Sequence, residues 1–206
     1  MKKIIFLILL IITFNPLFSQ TEKEKLFEKN IDSIMAELRF SYQYDQAMRE
    51  YILFKTFDKS IIDSLETLDD PREYIFAHNF ETNKVKRIWD EFIHPADDKF
   101  TELMIDISNK YGYPSLKRIN KYYDGIVPPE FDPTILLIHS RKKYWSEINT
   151  MVEREFKNGN MGKCDYGYIK WHISGRKENS FLKENGIKFA AGDNGQVYYI
   201  DSCEDK

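Results

Sequence analysis

Asp45 and Arg49 stand one helical turn apart in a stretch whose apolar residues, Ile31, Ile34, Met35, Leu38, Tyr42 and Ile52, recur with helical spacing. At about 100° per residue, both fall within roughly 20° of the centre of that apolar stripe. A carboxylate and a guanidinium at this spacing can pair, and burying either one alone costs roughly several kcal/mol. Two uses follow. One is a structural ion pair that fixes helix register. The other is a pocket in which Arg49 grips a carboxylate or phosphate of a small molecule while Asp45 orients it. Gln46 lies about 80° off the stripe centre by the same period and belongs at the edge of such a pocket.

His139 is the second candidate, because it follows directly on the apolar run Ile135-Leu-Leu-Ile138. A histidine there serves as a general base or ligand contact, or as a core residue bonded to a carboxylate or carbonyl. Packed beside Asp45, it is a base oriented by a carboxylate. No serine or cysteine has the surroundings of an activated nucleophile: there is no G-x-S-x-G elbow, and no S-x-x-K in a context that activates it. The four histidines, His78, His94, His139 and His172, never fall in H-x-x-x-H or H-E-x-x-H spacing. His94 and Asp98 form an i, i+4 pair, but an acid in a first helical turn explains Asp98 without a metal. Phosphate-loop glycine patterns are missing as well. The expectation is no metal and no cofactor.

The elements that must position these groups are mainly helical. Ile31 to Phe57 reads as one long amphipathic helix; a helix begun by a capping box at Thr21-Glu-Lys-Glu24 either continues unbroken through Leu38 into it or breaks near Ser41. A short helix is expected over Ile61 to Leu68, stopped by Asp69-Asp70-Pro71; Glu73 to Phe80 is ambiguous, and Val85 to Ile93 resumes a helical pattern. Pro95 restarts the chain, with Asp97 and Asp98 in a first turn where the helix dipole favours acids. Phe100, Leu103, Met104, Ile107 and Tyr111 then keep a 3-4-3-4 spacing, closed by Gly112 and Pro114. Asn120 to Pro133 reads as loop. A helix beginning at Thr134 passes His139 and continues through Trp145 and Val152 to Phe156, and Asn158 to Gly162 closes it. Tyr166 to Ile173 suits helix or strand. Ile187 to Ala191 and Gln196 to Ile200, flanking Gly192-Asp-Asn-Gly195, read as a hairpin.

Taken together, Asp45-Gln46-x-x-Arg49, Asp97 leading into the helix that ends Tyr111-Gly-Tyr-Pro114, and Ile135-Leu-Leu-Ile-His139-Ser140 resemble an uncharacterised bacterial family. It is catalogued as a domain of unknown function, class 6624. Its pattern is D-Q-x-x-R, D-x-x-N, Y-G-x-P, an apolar run ending in His, an Asp-Arg pair and Y-G-T-Q. The likeness spans roughly Leu38 to Ile173. It implies a polar cluster of Asp45, Gln46, Arg49 and His139, and no particular activity. Phe100 stands in place of the family's Asn, and Trp171-His172 in place of its Asp-Arg pair. The hairpin and Cys203 occupy the end where Y-G-T-Q falls.

The chain has 206 residues, 15% of them aromatic, and a formal net charge of −3. Lys2-Lys3, the apolar run Ile4 to Ile12 and the small Ser19 match a signal peptide over residues 1–19, with cleavage leaving Gln20 first. The run is shorter than the ~20 residues that span a bilayer, and no Cys follows it to carry a lipid. This reading makes the protein exported, periplasmic or extracellular, with no stable membrane insertion after cleavage. Without a basic excess, nucleic-acid binding has no support. In an oxidising compartment Cys164 and Cys203 pair most simply as a disulfide, worth about 3–4 kcal/mol on the chain-entropy model; a catalytic thiol is the rival use.

The fold expected is therefore a single helical domain over 20–206, in which 164–206 form a hairpin-containing C-terminal part. Two functions stay open. The first is a non-catalytic binding or interaction module, its partner a small molecule or an envelope protein. The second is a hydrolase-like enzyme built on Asp45, Arg49 and His139. The enzyme needs His139 within hydrogen-bond reach of Asp45 or an open cleft, with water-accessible room for substrate. The docking module needs an exposed aromatic surface, for which Tyr122, Tyr123 and Phe131 are the candidates.

Overall fold

A computed structural model describes residues 2–55 and 83–203. The short helix expected over Ile61 to Leu68 with its stop at Asp69-Asp70-Pro71, the ambiguous Glu73 to Phe80, and His78 lie outside the described residues. The architecture is mainly helical with a small C-terminal hairpin. Helix α1 (Lys2–Lys55) runs without a break through Ser41. Thr21 is therefore interior to the helix and not its N-cap: the preceding turns supply the carbonyls that the N–H groups after Thr21 need. Phe27, Ile31, Ile34, Met35 and Leu38 are buried along one face of α1, as the stripe requires.

Helix α2 (Asn83–Ile88) passes through one π-helical turn (Trp89–Ile93) into α3 (His94–Tyr111). Pro95 does not restart the chain here. It sits in the first turn of α3, and the His94 N–H reaches back to the Trp89 carbonyl, a wider turn that carries the backbone past a residue lacking a donor. Phe100, Met104 and Ile107 are buried against α1, and Gly112 ends α3 at φ +83°. A side chain there would be strained, and a Cβ would lie 2.6 Å from Asn160 Nδ2.

Helix α4 (Leu116–Tyr122) takes up the first three residues of the segment expected to be loop from Asn120. The single helix expected from Thr134 to Phe156 is in fact α5 (Ile135–Ile138), a 3₁₀ turn (Lys142–Tyr144) and α6 (Trp145–Lys157). An Asp132 carboxylate accepts the Thr134 N–H before α5. The break falls on His139-Ser140-Arg141, three residues drawn to three different neighbours as described below. Tyr166 to Ile173 settles as helix within α7 (Lys163–Ile173).

Leu38, Met104, Leu137, Ile148, Val152 and Ile169 meet in one core fed by α1, α3, α5, α6 and α7. Each fully buried aliphatic side chain of this kind contributes about 1.5–3 kcal/mol. After the short α8 (Ser180–Glu184), strands β1 (Ile187–Ala191) and β2 (Val197–Cys203) pair antiparallel, Ile187 opposite Cys203, with irregularities beyond Lys188 and Ala190. The turn is the expected one, with the Gly192 N–H on the Gln196 carbonyl and Gly195 at φ +77°. The hairpin packs Ile187 with Trp171 and Leu182 in a second, smaller core. Cys164, in the first turn of α7, is disulfide-bonded to Cys203 at the end of β2, with Cα atoms 6.0 Å apart. Among the described residues no helix is long and apolar enough to cross a membrane.

Candidate functional site

Helix α1 holds Asp45 and Arg49 on its buried side; the Asp45 side chain is 1% exposed and that of Arg49 18%. Arg49 Nη1 lies 3.0 Å from Asp45 Oδ1, and Nη2 donates to Asp97 Oδ1 at 2.9 Å. The guanidinium therefore lies between two buried carboxylates, with its carbon 5.4 Å from the centre of the Trp89 ring. Trp89 opens the π-helical turn and Asp97 lies in the first turn of α3, so one continuous rod offers both to the Arg49 guanidinium.

His139 meets the same cluster from the end of α5. Its Nδ1 lies 2.9 Å from Asp45 Oδ1 and 3.0 Å from Oδ2. A carboxylate accepts, so Nδ1 carries the hydrogen and Nε2 is the ring's remaining acceptor. Gln46, exposed on α1, donates from Nε2 to Asp45 Oδ2 at 2.8 Å. Asp45 thus receives Arg49, His139 and Gln46, and the four predicted site residues form one contact group.

Asp97 is the member that sequence reasoning did not place in the site. An acid in the first turn after Pro95 has a local explanation in the helix dipole, and that explanation hid the long-range one. Burial raises the Asp97 carboxyl above its usual range; Arg49 opposes this, and His139 does so less. Its neighbour Asp98 faces the other way, to Arg141 Nε at 2.7 Å, to Arg141 Nη2, and to Lys143 Nζ at 2.7 Å. Partial burial pushes Asp98 up, but Arg141 and Lys143 together hold it below the usual carboxylate range. His94 pairs with Asp90 at 3.5 Å, so the His94–Asp98 pairing weighed from spacing is not formed.

The residues His139, Ser140 and Arg141 are consecutive, yet each is tied to a different part of the fold. His139 bonds Asp45 of α1 and Arg141 bonds Asp98 of α3. The Ser140 carbonyl accepts His172 Nε2 of α7 at 3.1 Å and Trp145 Nε1 of α6 at 3.2 Å. A continuing helix would commit that carbonyl to its own ladder and point the three side chains around one cylinder. This is why the chain leaves helical geometry here.

Asp45, Asp97 and His139 offer one ligand atom each within 4.8 Å of one another, a spacing that a cation can draw together. The cation already between the two carboxylates is Arg49. An ion entering there would have to displace a guanidinium, and His139 would give up its Asp45 bond to ligate through Nδ1.

Of the three rings named for an aromatic surface, one is buried and two are partly buried. Phe131 is 2% exposed and packs edge-on to Tyr42, with ring centres 5.3 Å apart. Tyr122 stacks its edge on Phe27 and donates to Glu24 at 2.7 Å, and Tyr123 packs against the main core. Comparison of the chain with protein-family models, with curated proteins and with solved structures finds no match.

Proposed function

We propose that this chain is a hydrolase-like enzyme whose general base is His139. The observation that carries the reading is the pair of contacts from His139 Nδ1 to both oxygens of the buried Asp45, at 2.9 and 3.0 Å. That arrangement fixes the tautomer and the ring direction, and it stabilises the imidazolium formed when Nε2 takes a proton. The His139 side chain is 19% exposed and that of Arg49 18%, so the base borders solvent while its orienting carboxylate does not.

In the step this supports, a water molecule loses a proton to His139 Nε2 as its oxygen bonds to an acyl or phosphoryl centre. The bond from that centre to the leaving group then breaks, and the imidazolium returns the proton to the departing oxygen or nitrogen. Arg49 spends two of the five N–H groups of a guanidinium on Asp45 and Asp97, and the rest are the donors this reading assigns to a developing negative charge. Gln46 completes the coordination of Asp45 from the rim. The buried Phe131 weighs against the aromatic docking surface and hence against the non-catalytic module. The likeness to domain class 6624, which groups the same four positions, belongs to this reading. So does export: a leader over 1–19 and a disulfide-bonded pair fit an oxidising compartment.

The test is hydrolysis of a panel of p-nitrophenyl carboxyl and phosphate esters by the wild type and by His139→Gln, with circular dichroism to verify folding. Loss of a general base costs about 10²–10⁴-fold in rate. A drop of that size in folded His139→Gln supports the assignment. Equal turnover by the two proteins overturns it.

A further inference from the structure

The residue behind His139 is itself held by a histidine. His172 is 7% exposed, and its Nε2 reaches the Ser140 carbonyl, which also accepts Trp145 Nε1. Because a carbonyl only accepts, Nε2 carries the hydrogen and Nδ1 is a bare acceptor. That Nδ1 is buried and has no hydrogen-bond partner among the described residues. The ring lies edge-on to Trp145, with centres 5.5 Å apart and planes at 74°. Burial, the largest influence, lowers the affinity of His172 for a proton until it titrates at about 4; the Ser140 bond opposes this, and the nearby charges of Arg176 and His139 add to it. At neutral pH it is a one-donor ring.

Trp145 alone would satisfy the Ser140 carbonyl. A second donor, held at the cost of an unpaired nitrogen, adds direction: two donors from two helices fix the plane of the Ser140–Arg141 peptide, one residue beyond His139. On its other side the same short segment is fixed by Arg141 on Asp98. We infer that His172 is a positioning residue for His139, holding the Ser140 carbonyl so that the His139 ring leaves α5 aimed at Asp45. The role as catalysis rests on the reading of His139 as the base; the geometric claim is read from the ring itself.

The experiment is long-range ¹H–¹⁵N correlation spectroscopy of the uniformly labelled protein, which reports the tautomer of the His139 ring. It is applied to wild type, His172→Phe, His172→Gln and His172→Asn. Phe keeps a ring and removes the donor, Gln places an amide N–H near the position of Nε2, and Asn places it nearer Nδ1. The expected result is a single Nδ1–H tautomer of His139 in wild type and His172→Gln, and mixed tautomers in His172→Phe and His172→Asn. Identical His139 signals in all four proteins overturn the inference. Should His172→Phe fail to fold, Gln against Asn decides, and a wild-type ring in both overturns it equally. A His139 tautomer that follows residue 172 in a protein with no esterase activity keeps the positioning role and refutes the hydrolase reading alone.

Discussion

Arg49 and Asp97 are 48 residues apart in the chain and meet at 2.9 Å inside the fold. That contact joins α1 to the first turn of α3 and leaves one guanidinium compensating two carboxylates. Replacing Arg49 by Gln strips Asp97 of its cation and leaves Asp45 with His139 and Gln46. Removing one partner of a buried ion pair costs about 3–5 kcal/mol, so urea unfolding of Arg49→Gln at pH 7 is expected to show a loss of that order. Adding Asp97→Asn in the Arg49→Gln background should recover part of it. A loss no larger than that of an exposed substitution would show that the cluster is solvated.

Asp97 sets a pH dependence of its own. Its folded carboxyl is raised above the unfolded value, chiefly by burial. The native state therefore holds this proton more tightly, and the associated stability is present at low pH and lost as pH rises through the raised value. Relative to Asp97→Asn, the wild type should gain stability as pH falls through the carboxylate range. Unfolding free energies of the two proteins at several pH values between neutral and acid give the sign directly.

His172 acts in the opposite sense. Its proton affinity is lowered from 6.5 to about 4 by burial, so the unfolded chain takes up the proton first. The stability it contributes is present above 6.5 and lost as pH falls toward 4. A separation of that size corresponds to about 3 kcal/mol between pH 7 and pH 4. His172→Gln, which does not titrate, should lack this slope, and the difference between the two stability curves isolates it from Asp97 and the other acids.

The legible part of the site was the part written within a helical turn. Asp45, Gln46 and Arg49 share one helix, so their geometry follows from 3.6 residues per turn, and His139 stood out because a polar ring ends an apolar run. Asp97 and His172 were not legible as site residues. Each has a sufficient local explanation, a first-turn acid or an unremarkable residue in a short amphipathic segment, while its actual partner lies 48 or 32 residues away. The break at His139-Ser140-Arg141 was missed for the same reason. Local propensity continues a helix through it, and only tertiary bonds to α1, α3, α6 and α7 make leaving the helix favourable. Pro95 does stand in the first turn of α3, as its spacing predicts; what was not legible is the π-helical turn that joins that start to α2 without a break. The hairpin and the pairing of Cys164 with Cys203 were legible because turn chemistry and an even count of two thiols leave little choice.

The disulfide gives a further expectation. Cys164 and Cys203 close a segment spanning 39 positions and join α7 to the last strand. On the chain-entropy model this contributes about 4 kcal/mol. Cys203→Ser is expected to lower the unfolding midpoint by several degrees and to speed amide exchange in β1 and β2 before it affects α3 or α6. Uniform exchange throughout would show the hairpin to be no separate unit.

Gly112 tests the packing between the end of α3 and Asn160. At φ +83°, with a Cβ position 2.6 Å from Asn160 Nδ2 and 3.0 Å from Arg118 Nη1, Gly112→Ala should cost more than about 1 kcal/mol. Asn160 donates to the fully buried Glu155 at 2.7 Å, so the displacement reaches a second polar network. Thermal unfolding of Gly112→Ala against Gly159→Ala, where nothing lies near the added carbon, separates the clash from backbone strain alone.

A ribosome delivers α1 before anything that its charges will eventually meet. Arg49 follows Asp45 by a single turn, whereas Asp97 arrives 48 residues after Arg49 and His139 arrives 94 after Asp45. The nascent rod therefore carries its own provisional partner, and the growing chain never presents a solitary carboxylate on that greasy flank. Completion of the cluster then becomes a late event, timed by the emergence of α5 and independent of when the first helix forms.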